Sequence, residues 1–242
     1  MSEQDTTAET IKKIPYGISD YEKIRLDNCY YVDKTMYLRS IEEAGDYIFF
    51  IRPRRFGKSL FLSVLGFTKE DAVEMIDYYK QKGIIKYDRE FLLNIMNTWY
   101  NNYIFSKKST TTLFNSDMIL YFLDECIRNH DIPDELIDQN VRIDYGKLRH
   151  LIIIDKDKGR VTNGNFTRLQ QIIEKGEMVS DIAKGFPVEK LIDTRNFLSL
   201  LFYLGLLTVK EMKDEELILQ IPSETARRLY YNYIKEAYEE KS

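Results

Sequence analysis

The sequence predicts an α+β, helix-rich protein, and three stretches carry that prediction. Residues 47–62 have the pattern of a short buried strand, a tight basic loop and the start of a helix. Residues 66–194 contain several apolar stripes at helical spacing. Residues 195–242 have the order helix, two strands, helix. We therefore expect a small α/β portion, a helical middle and an α+β C-terminal module.

The first stretch contains the parts of a phosphate-binding loop. Residues 48–51 are apolar without alternation, as in a strand that is covered on both faces. Gly57-Lys58-Ser59 follows and opens a helix. In such loops backbone N–H groups surround the phosphates, the lysine reaches the β- and γ-phosphates, and the serine hydroxyl holds Mg²⁺. The predicted phosphate-binding residues are Arg52, Arg54, Arg55, Phe56, Gly57, Lys58 and Ser59, with Ser59 as a candidate Mg²⁺ ligand.

The loop motif by itself leaves an alternative open. The full motif has a glycine at the position of Arg52, and the three residues 57–59 also fit a helix N-cap at Ser59 after a basic turn. Arg54 and Arg55 favour an anion site, because a guanidinium group can bind phosphate through two parallel hydrogen bonds.

The stretches Tyr30-Tyr31-Val32-Asp33-Lys34-Thr35 and Arg52-Pro53-Arg54-Arg55-Phe56-Gly57-Lys58-Ser59 resemble the opening of the bacterial and archaeal AAA-ATPase-like family. Similar signatures lie upstream at 14–20 and downstream at 66–71, 99–103, 200–208 and 219–223. All are in the family's order, so the resemblance covers nearly the whole chain. In this family an arginine stands where other phosphate loops have the first glycine, so Arg52 fits it. The resemblance implies ATP with Mg²⁺ as the ligand. Family members are often fused to a PD-(D/E)XK-type nuclease domain.

The resemblance also implies that a segment is missing close to residues 65–66. The helix that begins near Ser59 meets Gly66 seven positions later, and a new helix follows, with Thr68 as N-cap, Asp71 reaching back and Phe67 stapled onto Ala72. A phosphate-loop helix should instead lead back to a parallel strand. In the family this interval carries the acidic Walker B strand and the residues that sense the γ-phosphate. We therefore expect nucleotide binding with weak or no hydrolysis.

Asp155 is a local candidate for the missing acid. It ends the apolar run 151–154, which is the form of a Mg²⁺-supporting strand. The alternative is a buried segment before the polar turn 156–159. We favour the alternative, because the matching place in the family lies well after the nucleotide core.

The middle of the chain has less distinctive patterns. We expect short strands at 29–32, 83–88 and 100–105, helices at 118–127, from Pro133 and at 168–174, and a turn at 163–165. Trp99, Tyr100 and Tyr103 form either an aromatic surface for stacking a base or a packing cluster, and packing is the more common role.

The C-terminal module is predicted to be winged-helix-like. A helix at 195–206 precedes two strands at 207–210 and 217–220, and Pro222-Ser223 opens an amphipathic helix. The turn between the strands is acidic and would repel a phosphate backbone, so an architectural role is favoured over DNA binding. The predicted organisation is a tail at 1–10, a partial P-loop-like α/β part at 11–65, a helical region at 66–194 and this module at 195–242.

Composition excludes several classes of function. The net charge is −4, so no global basic field indicates nucleic acid, and a nucleic-acid or protein partner is left open. Cys29 and Cys126 are the only cysteines, which excludes a disulfide framework or a four-cysteine zinc site. No apolar leader or membrane-length apolar run is present, so we expect a cytoplasmic protein without a membrane span.

Two other functions compete with the nucleotide-binding one. In the first, the chain is a non-enzymatic interaction scaffold whose loop arginines bind any anion or an acidic partner. In the second, it is related to metal-dependent nucleases, because Asp193 with Glu211 and Lys213 has the order Asp, then Glu-x-Lys. Charged residues on helix and hairpin surfaces would give the same pattern, and we favour that interpretation.

Overall fold

The computed structural model describes residues 10–18, 20–34, 36, 66–106, 109–141, 164–183, 190 and 193–239. Within this part of the chain we number seven helices and three strands in order. They are α1 (Tyr21–Leu26), α2 (Lys69–Gln81), α3 (Arg89–Tyr100), α4 (Ser116–Asn129), α5 (Asn165–Lys175), β1 (Glu177–Val179), α6 (Thr194–Tyr203), β2 (Thr208–Lys213), β3 (Glu216–Gln220) and α7 (Glu224–Glu239). The α+β, helix-rich prediction is confirmed.

Side-chain caps fix where several helices begin. Thr68 and Asp71 form the predicted capping box at α2: the Asp71 N–H donates to Thr68 Oγ1 (3.2 Å), and the Thr68 N–H donates to Asp71 Oδ2 (2.8 Å). Asp88, Asn115 and Asp193 cap α3, α4 and α6 in the same position. The predicted helices at 118–127 and 168–174 are confirmed as α4 and α5.

The three strands form an antiparallel sheet with the order β1-β3-β2. The β2–β3 hairpin pairs Thr208 with Gln220 and Lys213 with Glu216, with an irregularity between Val209 and Glu211. Its turn is Asp214-Glu215, and both residues have positive φ, as a two-residue type I′ hairpin turn requires. The predicted order of helix, hairpin and helix is confirmed, and β1 is an additional strand. No parallel sheet occurs among the described residues.

Three short-strand predictions are wrong. Within 29–32, Cys29 forms only an isolated parallel bridge with Lys13. Residues 83–88 form a connection whose last residue caps α3. Tyr100 is the last residue of α3, and Tyr103 makes an isolated antiparallel bridge with Leu113. Short apolar runs fit a strand or a packed connection equally well, because periodicity needs more residues to tell them apart.

Two helix boundaries also differ from the prediction. No helix starts at Pro133, since helical backbone resumes only at residue 139. Helix α6 ends at Tyr203 rather than at residue 206, because Gly205 has a φ of +77° and turns the chain towards β2.

One buried apolar cluster joins elements from both ends of the described chain. It contains Ile14 and Tyr30 from the N-terminal segment, helices α2 to α4, and Leu229 and Tyr230 of α7. The predicted regions therefore share a core, and their boundaries at 65 and 194 stay predictions. No helix in the described ranges is both long enough and apolar enough to cross a bilayer.

Candidate functional site

The predicted phosphate-binding residues lie outside the described part of the chain. This holds for the predicted strand at 48–51, for Asp155, and for the full loop set of Arg52, Arg54, Arg55, Phe56, Gly57, Lys58 and Ser59. The structure does describe the chain up to Lys34 on one side of this segment and from Gly66 on the other. The candidate site is therefore built from these two flanks.

A buried ion pair joins the two flanks. Lys34 Nζ lies 2.6 Å from Asp71 Oδ2, and the two side chains are only 10% and 14% exposed. The same carboxylate oxygen accepts from the Thr68 N–H and from the Thr68 hydroxyl, at 2.8 Å and 3.0 Å. Asp71 therefore serves both the start of α2 and the chain that enters the loop segment.

Further polar contacts follow the same face of α2. Glu74 accepts a hydrogen bond from the Tyr30 hydroxyl (3.2 Å), and the Tyr78 hydroxyl accepts one from the Lys12 N–H (3.0 Å). Asp71, Glu74 and Tyr78 have the spacing i, i+3, i+7, which places them on one side of a helix. Lys12, Tyr30 and Lys34 thus all contact one stripe of α2.

Aromatic and cationic groups reinforce this contact. The Lys12 ammonium group lies 5.6 Å from the Tyr30 ring centroid and 5.8 Å from that of Tyr78, both within cation–π range. The Tyr79 hydroxyl donates to the Lys12 carbonyl at 2.9 Å. Burial, and then Glu74, raise the pKa of Tyr30, so its hydroxyl stays protonated and remains a donor.

On the C-terminal flank of the loop segment, Gly66 and Phe67 lie against residues 113–114. Phe67 and Phe114 form an isolated antiparallel bridge, with the Phe114 N–H donating to the Phe67 carbonyl at 2.7 Å. Gly66 has a φ of +72°, and a Cβ atom there would lie 3.2 Å from Leu113 Cβ and from the Phe114 carbonyl oxygen. The close approach of the two backbones therefore depends on glycine.

A cavity of about 50 Å³ lies between the N-terminal segment and α2. Burial raises the pKa of Tyr31 to about 12, and its hydroxyl is buried without a hydrogen-bond partner in the structure. The cavity is apolar and has no charged lining residue, so it does not suit phosphate. Its lining residues are Pro15, Ile18, Ile24, Tyr30, Tyr31, Val32, Phe67, Met75 and Leu120.

The aromatic residues at the end of α3 and just after it pack in the interior. Tyr100 and Tyr103 are 0% and 3% exposed, and their hydroxyls bond to the Leu136 carbonyl and to Ser223 Oγ. The Trp99 ring is faced by the Arg228 guanidinium group at 5.3 Å. The prediction of a base-stacking surface is therefore wrong for Tyr100 and Tyr103, and the packing interpretation is confirmed for them.

The nuclease-like order of charged residues has a structural role where the chain is described. Asp193 accepts from the Arg195 N–H (2.8 Å) and the Asn196 N–H (3.3 Å) as the N-cap of α6, while Glu211 and Lys213 are exposed on β2. The described ranges contain no group of three or more His, Cys, Asp or Glu side chains that could hold a metal. Cys29 and Cys126 are buried free thiols, and burial raises the pKa of both.

The Lys34–Asp71 pair was not predicted from the sequence. The sequence indicates Asp71 only as part of the capping box and Lys34 only as part of a family signature. Because 37 positions separate the two residues, no helical or strand periodicity relates them. The one sequence signal is that the charged residues Asp33 and Lys34 directly follow the aromatic and apolar residues 30–32.

A comparison with known protein families gives a match whose range includes both flanks described above. A family model described as "Predicted AAA-ATPase" matches residues 15–113. A protein from Azotobacter chroococcum mcd 1, named "Uncharacterized protein in vnfD 5'region", is 54% identical over 56 residues, which cover 23% of this chain and 11% of that protein. The chain thus spans about a tenth of that relative's length. No solved structure matches. Residues 15–113 are thus similar to an AAA-ATPase-like family.

Proposed function

We propose that this chain binds ATP with Mg²⁺ through residues 52–59 and hydrolyses it weakly or not at all. The observation that carries the proposal is the family match over residues 15–113, because that interval contains Gly57-Lys58-Ser59 between an apolar run and a helix-like run. The Lys34–Asp71 pair supports it, since it holds together the chain on the two sides of that loop.

Each loop residue has a proposed role. Lys58 contacts the β- and γ-phosphates, and the Ser59 hydroxyl is a ligand of Mg²⁺. Arg52, Arg54 and Arg55 add positive charge around the phosphates. This donor set suits Mg²⁺, which is usually held by few protein oxygens together with phosphate oxygens and water.

Weak hydrolysis is proposed because the sequence has no evident counterpart of the family's acidic Walker B strand and γ-phosphate sensor near residues 65–66. Phosphoryl transfer needs a loop lysine, a metal held by a hydroxyl and an acid, and a group that orients water. Lys58 and Ser59 supply the first part, and Asp155 is the candidate acid. Removing one preorganised electrostatic group typically lowers the rate by about 10²–10³-fold. The absence of two such groups would leave turnover near the uncatalysed level.

Titration with labelled ATP and Mg²⁺ tests the binding proposal. We expect saturable binding that is lost in Lys58→Ala, because the ammonium group that reaches the phosphates is gone. Lys86→Ala is the matched control, since Lys86 is exposed in the connection before α3 and should bind as the wild type does. Binding that survives in Lys58→Ala would contradict the proposal. Equal binding of any polyanion would favour the scaffold alternative instead.

Turnover of the same samples tests the second half of the proposal. We expect Mg²⁺-dependent hydrolysis below about 1 s⁻¹, the lower end of typical turnover numbers for enzymes. Faster hydrolysis that disappears in Lys58→Ala would overturn this expectation. If Asp155→Ala also removed it, Asp155 would be the missing acid.

For the winged-helix-like module at 195–242 we propose an architectural role. Helix α7 is joined to the end of α3 by the Thr225 hydroxyl, which donates to the Trp99 carbonyl at 2.7 Å. Tyr230, which is fully buried, donates to the Leu206 carbonyl at 2.9 Å. The first contact joins the module to α3, and the second lies within the module, which contributes Leu229 and Tyr230 to the shared core. The acidic turn between β2 and β3 is unsuited to a phosphate backbone.

A further inference from the structure

We propose that the N-terminal strap, defined as residues 10–18 and 20–34, opens and closes as one unit. The described residues from Gly66 onwards, here called the body, stay folded while the strap opens. This opening requires no nucleotide and goes beyond the proposed function. It uncovers an apolar face that α2 and α4 share beneath the strap.

The strap is held together by hydrogen bonds between its own backbone groups. The Lys13 N–H donates to the Asn28 carbonyl at 3.1 Å, and the Tyr30 N–H donates to the Lys13 carbonyl at 2.7 Å. Between these positions the Cys29 N–H donates to the Ile24 carbonyl of α1 at 2.9 Å. The start and the end of the strap therefore meet, and its backbone forms a closed loop.

Side chains make the polar contacts between the strap and the body. The Lys34–Asp71 pair and the Tyr30–Glu74 hydrogen bond each join two side chains. The Lys12 backbone bonds to the hydroxyl groups of two tyrosines of α2. Among the described residues, no backbone hydrogen bond joins the strap to the body. The strap can therefore leave the body with its own backbone hydrogen bonds intact.

The apolar contact between the strap and the body contains a cavity of about 50 Å³. Of its nine described lining residues, six belong to the strap, and Phe67, Met75 and Leu120 belong to the body. Side chains that face a void lose dispersion contacts on that side. The strap is thus packed less tightly against the body than residues inside a continuous core are packed against each other.

These features are typical of a unit that opens below the free energy of global unfolding. Proteins open in cooperative units, which often coincide with compact motifs of the chain and have few buried apolar contacts. The strap contributes only Ile14 and Tyr30 to the fully buried members of the shared core cluster. When it opens, Phe67, Met75 and Leu120 lose the cover that its side chains provide.

Hydrogen exchange of the full chain, in urea concentrations below the unfolding transition, tests the proposal. The amides of Lys13, Cys29 and Tyr30 report the strap, and those of Phe122 and Leu123 in α4 report the body. We expect the three strap amides to share one protection factor and one urea dependence. Their protection should be about 100-fold or more below that of the α4 amides, because sub-global units open more often than the whole chain unfolds.

Two tyrosine variants separate a strap that opens alone from a chain that opens as a whole. Tyr100→Phe removes the hydroxyl that donates to the Leu136 carbonyl within the body. It should lower the protection of the α4 amides by about fivefold, the effect of one typical hydrogen bond, and leave the strap amides unchanged. Tyr30→Phe removes the hydroxyl that donates to Glu74 and should lower both sets of amides by the same factor. Docking of the strap contributes to both openings, whereas contacts within the body contribute only to global unfolding.

Tyr230→Phe replaces Tyr100→Phe if that variant does not fold, because the Tyr230 hydroxyl also bonds within the body, to the Leu206 carbonyl. Strap and α4 amides with equal protection, falling together in Tyr100→Phe, would show a single cooperative unit and overturn the proposal. Strap amides that exchange at unrelated rates without urea dependence would show fraying of single residues and overturn it as well.

Discussion

At the scale of single residues, Gly66 shows how closely the exit of the loop segment is packed. The residue combines a φ of +72° with a close backbone approach, in which a methyl group would lie 3.2 Å from Leu113 Cβ and from the Phe114 carbonyl oxygen. Gly83 has nearly the same φ, +70°, but open space where a Cβ atom would be. Alanine variants at the two glycines therefore separate the free-energy cost of backbone strain from that of steric contact.

We expect Gly66→Ala to lower the free energy of unfolding more than Gly83→Ala does. Both changes force an L-residue into the left-handed region, at a cost of about 1–2 kcal/mol. Gly66→Ala also presses a methyl group onto Leu113 and Phe114, and overpacking typically adds about 1–3 kcal/mol. Urea unfolding of the two variants measures the difference. Equal losses would mean that residues 113–114 move aside freely.

Residue-level predictions succeeded where the chemistry is local. Thr68 and Asp71 lie three positions apart, and that spacing is sufficient to predict a capping box. The second role of Asp71, as the partner of Lys34, depends on how residues 12–34 pack against α2. No local rule contains that information.

At the scale of elements, Thr208 connects the hairpin to the segment that follows α3. Its buried hydroxyl accepts from the Ile104 N–H at 2.6 Å and donates to the Ile104 carbonyl at 2.9 Å. The Val209 N–H donates to the same carbonyl at 3.2 Å. A side chain therefore continues the hydrogen bonding of β2 onto a neighbouring segment.

Thr208→Val keeps the shape of the side chain and removes both hydroxyl hydrogen bonds. Because the Ile104 N–H is then left without a partner, we expect a loss of about 1–3 kcal/mol in the free energy of unfolding. Thr208→Ser is the control, since it keeps the hydroxyl and loses one buried methyl group, at a cost of about 0.8 kcal/mol. A serine variant less stable than the valine variant would show that packing, not hydrogen bonding, makes this connection.

Element predictions were right where a long apolar stripe coincided with a cap. Helix α4 has both, with Asn115 as N-cap and a left-handed His130 at its end. The strand predictions at 83–88 and 100–105 were wrong because each rested on a few apolar residues. Those side chains are buried against helices, so they are apolar for reasons unrelated to a sheet.

At the scale of the whole molecule, buried tyrosines make stability sensitive to high pH. Burial is the largest cause of the raised pKa of Tyr31 and of Tyr103, both about 12. Burial also raises the pKa of Tyr79 and Tyr100. An unfolded tyrosine titrates near pH 10. The folded state therefore binds these protons more tightly than the unfolded state does.

The sign of the pH dependence follows from this difference. The contribution of these tyrosines is fully present below about pH 10 and is lost as the pH rises from about 10 to about 12, because only the unfolded chain releases the protons there. Urea unfolding at several pH values should show the loss. Phenolate absorbance should rise later in the folded protein than in urea. A folded protein whose tyrosines all titrate near pH 10, with constant stability, would contradict this prediction.

The loop residues of the candidate site follow from a local sequence pattern, whereas the contacts beside the loop do not. Gly57, Lys58 and Ser59 are predicted because a phosphate loop has a fixed spacing of residues, and they stay a prediction. The described flank of the site depends on Lys34, Tyr30 and Lys12 meeting a stripe of α2. These contacts depend on how the N-terminal segment packs against α2, and no fixed spacing in the sequence predicts them.

The contacts between α3 and α7 have a consequence during translation. Tyr103 and Ser223 are 120 positions apart, and Trp99 and Thr225 are 126 apart. At roughly 5–20 residues per second, a ribosome needs between about 6 and 24 s to add 120 residues. During that time α3 has been synthesised but its partner has not, so apolar surface of α3 remains open to chaperones or to other nascent chains. The order of synthesis thus leaves the surface of α3 that contacts α7 uncovered until α7 has been made.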